Sequence, residues 1–182
     1  MSDLTLSGQQ LVVDMVNAAN PSTLTDVPMV STDVTYGVPA VLTDDPSGHN
    51  SSLLLTAAAG SSLYEGSVTV TYNRLDIGDV FAILAPQSVV VVPVDDVSDY
   101  ASASDIVTYL NSTYSVAIVA ADYVQEATGL SVLPGTYTLT AAESSLVYIG
   151  SVVINFQSTK KQLSSIVTNT SLGGLTDPAS PS

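Results

Sequence analysis

The chain contains no cysteine and no tryptophan, one histidine, and only three basic side chains. The missing thiols exclude disulfides, thiolate metal sites and cysteine nucleophiles. A histidine-based zinc site needs more nitrogen ligands than His49 alone can give. Arg74, Lys160 and Lys161 stand against 17 acidic residues, for a net charge of −14. Such a chain cannot neutralise phosphates, which argues against nucleic-acid binding. Anionic membranes are disfavoured for the same reason. The first ten residues show neither a basic nor an apolar signal region. The longest apolar run, around Val89–Val94, is far too short to span a bilayer. No phosphate-binding loop, dinucleotide fingerprint or metal-helix motif is present.

What is present is a β-rich mixture of Ser, Thr, Val and Ala, with 46% hydrophobic and 11% charged residues in 182. That length suits one medium domain or two small ones. An internal repeat decides between them. Residues 55–72 (LTAAAGSSLYEGSVTVTY) recur as residues 139–156 (LTAAESSLVYIGSVVINF) without a gap, at an offset of 84. Nine of the eighteen positions are identical. The shared part is a scaffold pattern, Tyr-x-Gly-Ser-Val, and holds no obvious reactive group. This favours a structural or binding module over an enzyme.

Local signals place the elements. Ser7 and Gln10 form a helix start, and Val12, Met15, Val16 and Ala19 lie on one stripe up to Asn20-Pro21. Asp33–Val41 reads as a strand that Pro39 ends or confines to an edge. Asp44–Asn50 is a turn cluster. Ser52–Ala59 and Ser67–Asn73 form a hairpin through Gly60–Gly66, with Val68, Val70 and Tyr72 on its buried face. Leu75–Leu84 is ambiguous between coil and a short helical turn. Gln87–Val94 is a strand with valine on both faces, expected to be central or sandwiched. In the second half, Asp105 begins a helix with Ile106, Tyr109 and Leu110 on one stripe. A strand follows at Val116–Ala120 or Ile118–Val124, and then a loop at Gly129–Gly135. Thr136–Ala142 and Ser151–Phe156 form the second hairpin. The offset is 94 in the helices, 87 at Tyr36/Tyr123 and 84 in the hairpins, so the second half is shorter in its connections.

The expected fold is therefore α+β. It has two related units, each a helix on a small antiparallel sheet with a β-hairpin, open to sandwich-like packing. The first unit spans residues 1–94 and the second 95–160. Residues 161–182, rich in Ser, Thr, Gly and Pro, form an extended arm suited to strapping onto a neighbour.

The run GSVTVTYNRLD (Gly66–Asp76), preceded by a Leu-Thr-Ala-Ala strand, resembles a domain found in tandem in virion structural proteins of tailed, especially large, bacteriophages. Leu110-Asn111 with Tyr114, Ala120–Tyr123 and Leu172-Gly173-Gly174-Leu175 belong to the same resemblance, which covers most of residues 5–175. It implies a non-enzymatic virion component, made in a host cytoplasm, present in many copies and bound to the major capsid protein or other virion proteins. A decoration or cement protein on the capsid exterior is the leading expectation. The alternatives are a neck, tail or fibre attachment protein, or a module binding host-surface glycans or proteins. The resemblance supplies no catalytic residue. The second copy departs from it, with Phe156-Gln157-Ser158 where the first has Tyr72-Asn73-Arg74.

Few residues remain as candidates for chemistry. His49 would have to serve any Ser-His-Asp site, and it lies in an exposed-type turn. Asp44, Asp45, Asp95 and Asp96 are the oxygen ligands that calcium would use, but their spacing matches no EF-hand loop, and solvated acidic loops are the simpler account of them. No cofactor is expected. Arg74 either pairs with a nearby carboxylate, Asp76 or Asp79, or reaches a partner's. Lys160 and Lys161 suit an acidic neighbour. Tyr64 and Tyr148, equivalent in the repeat, are core anchors or partner contacts.

Overall fold

A computed structural model describes residues 3–24, 26–85, 89–125, 133–161 and 163–171. Most of the expected loop Gly129–Gly135, the Leu172–Leu175 motif and the end of the arm lie outside the described residues. Helix α1 (Gly8–Ala19) begins where Ser7 Oγ accepts the Gln10 amide at 3.3 Å, and it buries Val12 and Val13. A single helical turn, α2 (Pro21–Leu24), follows. The strand expected over Asp33–Val41 is split into β1 (Val34–Tyr36) and β2 (Ala40–Val41). Pro39 sits in the gap, where it has no N–H to give a ladder. Both pieces pair antiparallel with one edge of β3 (Ser51–Ala57), and β4 (Ser67–Tyr72) takes the whole of the other edge. Val12, Val13, Val34, Leu53, Leu55 and Tyr72 form the core of this half.

The chain then crosses over. Strand β5 (Leu75–Asp76) leads into α3 (Ile77–Leu84), a true helix capped by Asp76, whose carboxylate accepts the Gly78 amide at 2.8 Å. Next come β6 (Val90–Val94), a 3₁₀ turn (Val97–Tyr100) and α4 (Ala103–Tyr114). Helix α4 starts two residues before the expected Asp105, because Ser102 and Asp105 close a reciprocal capping box. The half is completed by β7 (Gly135–Thr140), β8 (Tyr148–Ile149), β9 (Ser151–Ser158) and the single turn α5 (Leu163–Ile166). The fold is α+β.

The second sheet is mixed, in the order β6-β9-β7: β7 is antiparallel to β9, and β6 is parallel to it. A parallel pair also joins β5 to β8. Strand β6 is not sandwiched as its run of valines suggests. Among the described residues it pairs with β9 alone, and it buries Val90, Val92 and Val94 while turning Val91 outward. With Ile77, Phe81, Ile106, Leu110, Ile154 and Phe156 these valines build a second core. The two cores divide between Tyr72 and Ile77, well before the boundary expected at Val94.

Equivalent hydrogen bonds recur in the two halves. The pairing of β3 with β4, from Ser51↔Tyr72 to Thr56↔Ser67, reappears in β7 and β9, from Gly135↔Phe156 to Thr140↔Ser151, every partner moved by 84. Ser61 Oγ accepts the Tyr64 amide at 3.1 Å, and Ser145 Oγ accepts the Tyr148 amide at 2.9 Å. Gly66 and Gly150 close these turns at φ of 77° and 76°, a conformation that favours glycine. The Asn17 side chain clamps both backbone groups of Met29, and Asn111 clamps those of Ile118. The Val30 amide reaches the Asp33 carboxylate as that of Val119 reaches Asp122. Met29/Ile118, Val30/Val119, Asp33/Asp122 and Val34/Tyr123 all lie 89 apart, while Asn17/Asn111 keep the helix offset of 94 and the strand partners Ala57/Ala141 the hairpin offset of 84. Tyr123 is thus the counterpart of Val34, and the expected Tyr36/Tyr123 match is out by two residues.

Candidate functional site

The lone arginine works inside the molecule. Arg74 is 4% exposed. Its Nε donates to Ser51 Oγ at 2.8 Å, and its Nη1 donates to the carbonyls of Glu143 (3.2 Å) and Ser145 (3.1 Å). It therefore ties the first hairpin to the turn of the second. This corrects both expectations for it, a partner contact and a pair with Asp76 or Asp79. Asp76 is spent on capping α3. The charge has a counterpart at one remove: Ser145 Oγ donates to buried Asp122 at 2.7 Å. Burial pulls the guanidinium below its ordinary pKa.

Other groups fasten the same seam. Tyr72 donates its hydroxyl to the Leu146 carbonyl at 2.9 Å, and the Leu75 amide reaches the Val147 carbonyl at 2.8 Å. Gly8, at the start of α1, lies so close to Val147 and Leu146 that a Cβ there would stand 2.9 Å and 3.2 Å from them. Burial pushes the phenols of Tyr72 and Tyr148 up to about 12.

The acidic clusters stay apart. Asp44 accepts the Thr43 hydroxyl at 3.2 Å. Asp45 takes the amide and Nδ1 of His49 at 3.0 and 2.8 Å. Asp95 is exposed, and Asp96 caps the 3₁₀ turn through Ser98. The bonds from Ser98 lower the Asp96 pKa, with a smaller contribution from Lys160. Among the described residues no three His, Cys, Asp or Glu side chains gather where they could hold a metal ion.

His49 meets both Asp45 and Thr71 Oγ1 (3.1 Å), which gives the members of a nucleophile-base-acid set. Both contacts use Nδ1, however. A relay needs one partner on each ring nitrogen, so this arrangement cannot pass a proton from Thr71 towards Asp45. Tyr148 is 1% exposed and belongs to the core rather than to a partner contact. Tyr64, half-buried, donates to the Val27 carbonyl at 3.0 Å. Lys160 and Lys161 are exposed.

The most distinctive surface emerges from comparing the halves. In the second half, β5, α3 and β6 cover the β8–β9 side of the hairpin. Gly150 packs directly against the Asp76 carboxylate, and Phe81 stacks edge-on to Tyr114 of α4, centroids 5.4 Å apart. In the first half the corresponding positions are uncovered. Val68 is 56% exposed where Val152 is 8%, and Gly66 has nothing within 4 Å of a Cβ. Between α1 and β4 runs a groove of about 530 Å³, lined by Val12, Met15, Val16, His49, Val70 and Tyr72 among others. Of the hairpin face expected to be buried, Tyr72 is in the core and Val70 packs against it, but Val68 is exposed, and sequence reasoning missed this groove. The signal lay in the repeat: Val68 and Val152 are equivalent by sequence, yet only Val152 is covered.

No helix among the described residues is long and apolar enough to cross a membrane. Residues 1–182 match the model of a family of unknown function (DUF7941), and the chain belongs to that family. No curated protein and no solved structure matches it.

Proposed function

We propose that this family member is a non-enzymatic structural protein of a tailed-bacteriophage particle, acting in many copies through contacts with neighbouring virion proteins. A decoration or cement role on the capsid exterior is the preferred placement. The observation that carries the assembly reading is the uncovered hairpin of the first half: an apolar groove beside a strand edge that is unpaired among the described residues suits recognition by strand or helix addition. The buried polar side chains Arg74, Ser51, Asp122 and Ser145 are all engaged in structural hydrogen bonds, which leaves none of them free for chemistry. The bacteriophage part of the reading rests on the resemblance of Gly66–Asp76 and its flanking motifs.

The test is the copy number of the protein in purified particles, by quantitative mass spectrometry against the major capsid protein. On the order of hundreds of copies supports a lattice-bound role, and a ring's worth moves it to the neck, tail or fibres. Absence from particles refutes the virion reading.

A further inference from the structure

We infer that the open groove of the first half is a socket for the segment around α5 of a second copy of this chain, so that copies join head to tail. This rests on the assembly reading above and names the partner.

The chain already displays the joint once. The segment that follows the first hairpin, β5-α3-β6, docks on the second half, not on the hairpin it leaves. The segment that follows the second hairpin repeats the essential pattern, with its apolar face left exposed. Strand β9 runs to Ser158, two residues beyond the position equivalent to the end of β4. With those two residues allowed for, Leu163, Ile166 and Val167 fall where α3 has Ile77, Val80 and Phe81. These are the i, i+3, i+4 positions of one helix face. Ile77, Val80 and Phe81 are buried, whereas Leu163 and Ile166 are 69% and 56% exposed. A chain thus carries an unfilled socket at one end and an uncovered apolar plug at the other.

Both parts are described within one chain, and they stay apart: the plug is exposed and the groove is open. A second copy is the occupant that satisfies both. The same alignment sets Lys161 opposite Tyr64, as Leu75 stands opposite Tyr148, beside exposed Glu65. One of the three cations therefore meets an acidic rim. Ser164 falls at the position of Gly78, where a Cβ would stand 2.8 Å from the Ser151 carbonyl. The incoming helix accordingly sits slightly further from its strand than α3 does. The contact is heterologous, so copies form a ring if the rotation closes and a filament if it does not.

Two substitutions at exposed positions test this in the full chain. Val68→Asp spoils the socket and leaves the plug; Ile166→Asp spoils the plug and leaves the socket. Sedimentation velocity of the wild type should show concentration-dependent association beyond the dimer. Each variant alone, folded by circular dichroism, should lose it and run as a monomer. Mixed in equal amounts the two should form a dimer and nothing larger, since one intact plug meets one intact socket. A wild type that stays monomeric at every concentration overturns the inference, and so do variants that associate like the wild type. A mixture without dimers does the same, and it points to closure within one chain or to a different partner. Particle composition is read separately. Self-association of a protein absent from particles would uphold the joint and sink the virion reading; a monomer abundant in particles would do the reverse.

Discussion

Arg74→Met removes the guanidinium while keeping most of the side chain's volume. Three hydrogen bonds go with it: to Ser51 Oγ, and to the carbonyls of Glu143 and Ser145. Bonds to a charged group are worth about 1.5–3 kcal/mol each, but the buried charge has its own desolvation cost, which the substitution relieves. Ser51 keeps a partner, since its hydroxyl donates to Asn50 Oδ1 at 2.9 Å. Glu143 lies in a turn where water can replace the arginine. The buried Ser145 carbonyl cannot recover so easily. The net loss comes to about 2–4 kcal/mol. For a chain of this size that lowers Tm by about 5–15 °C. Because Arg74 joins the first hairpin to the second turn, the loss should also broaden or split the transition. Differential scanning calorimetry at neutral pH measures both. Arg74→Lys, which keeps the charge but reaches fewer acceptors, should fall between. A single transition for Arg74→Met within about 2 °C of the wild type would refute the view that this residue holds the halves together.

Three further outcomes are expected. Gly66→Ala should cost about 1 kcal/mol, for the left-handed backbone alone. Gly150→Ala should cost about 3 kcal/mol or more, because its Cβ also collides with the Asp76 cap of α3; equal effects in urea titrations would contradict the difference between the two turns. Stability should fall as pH rises from about 10 to about 12. Below the lower value both states keep the protons of Tyr72 and Tyr148; between the two values only the unfolded chain ionises, at roughly 1.4 kcal/mol per pH unit for each tyrosine. A flat urea midpoint across that window would contradict the burial of these phenols. Asn111→Ala frees both backbone groups of Ile118 and should cost about 1–3 kcal/mol, with hydrogen exchange quickening at Ile118; an unchanged exchange rate would show that the clamp is dispensable.

The parts of this fold that could be read from the sequence are those set by neighbours along the chain. The hairpins at offset 84 were legible because a turn of fixed length fixes its own register. The cap at Ser7 announced α1 in the same way. The joints between distant segments were not legible. Nothing local in LDIGDVFAIL says that Leu75 will lie beside Tyr148, and a run of valines looks alike in a central strand and in an edge strand. The role of Arg74 is hidden for a related reason. Its acceptors are backbone carbonyls of Glu143 and Ser145, and carbonyls leave no mark in a sequence. The Asn17/Asn111 match is legible at the helix offset of 94, and both clamps bear it out. The Asp33/Asp122 pair at offset 89 is hidden because Tyr36/Tyr123 matches better by residue type.

The split of the edge strand at Pro39 has a consequence for solubility. A sheet with two clean edges is a template that can recruit strands without limit, the first step to fibrous aggregation. Here one edge is broken into pieces of three and two residues around a proline, and the other is whole. Such a sheet can be extended on one side only. Recruitment is confined to the whole edge, and the broken one is closed to it, which limits the hazard in a chain of high β content.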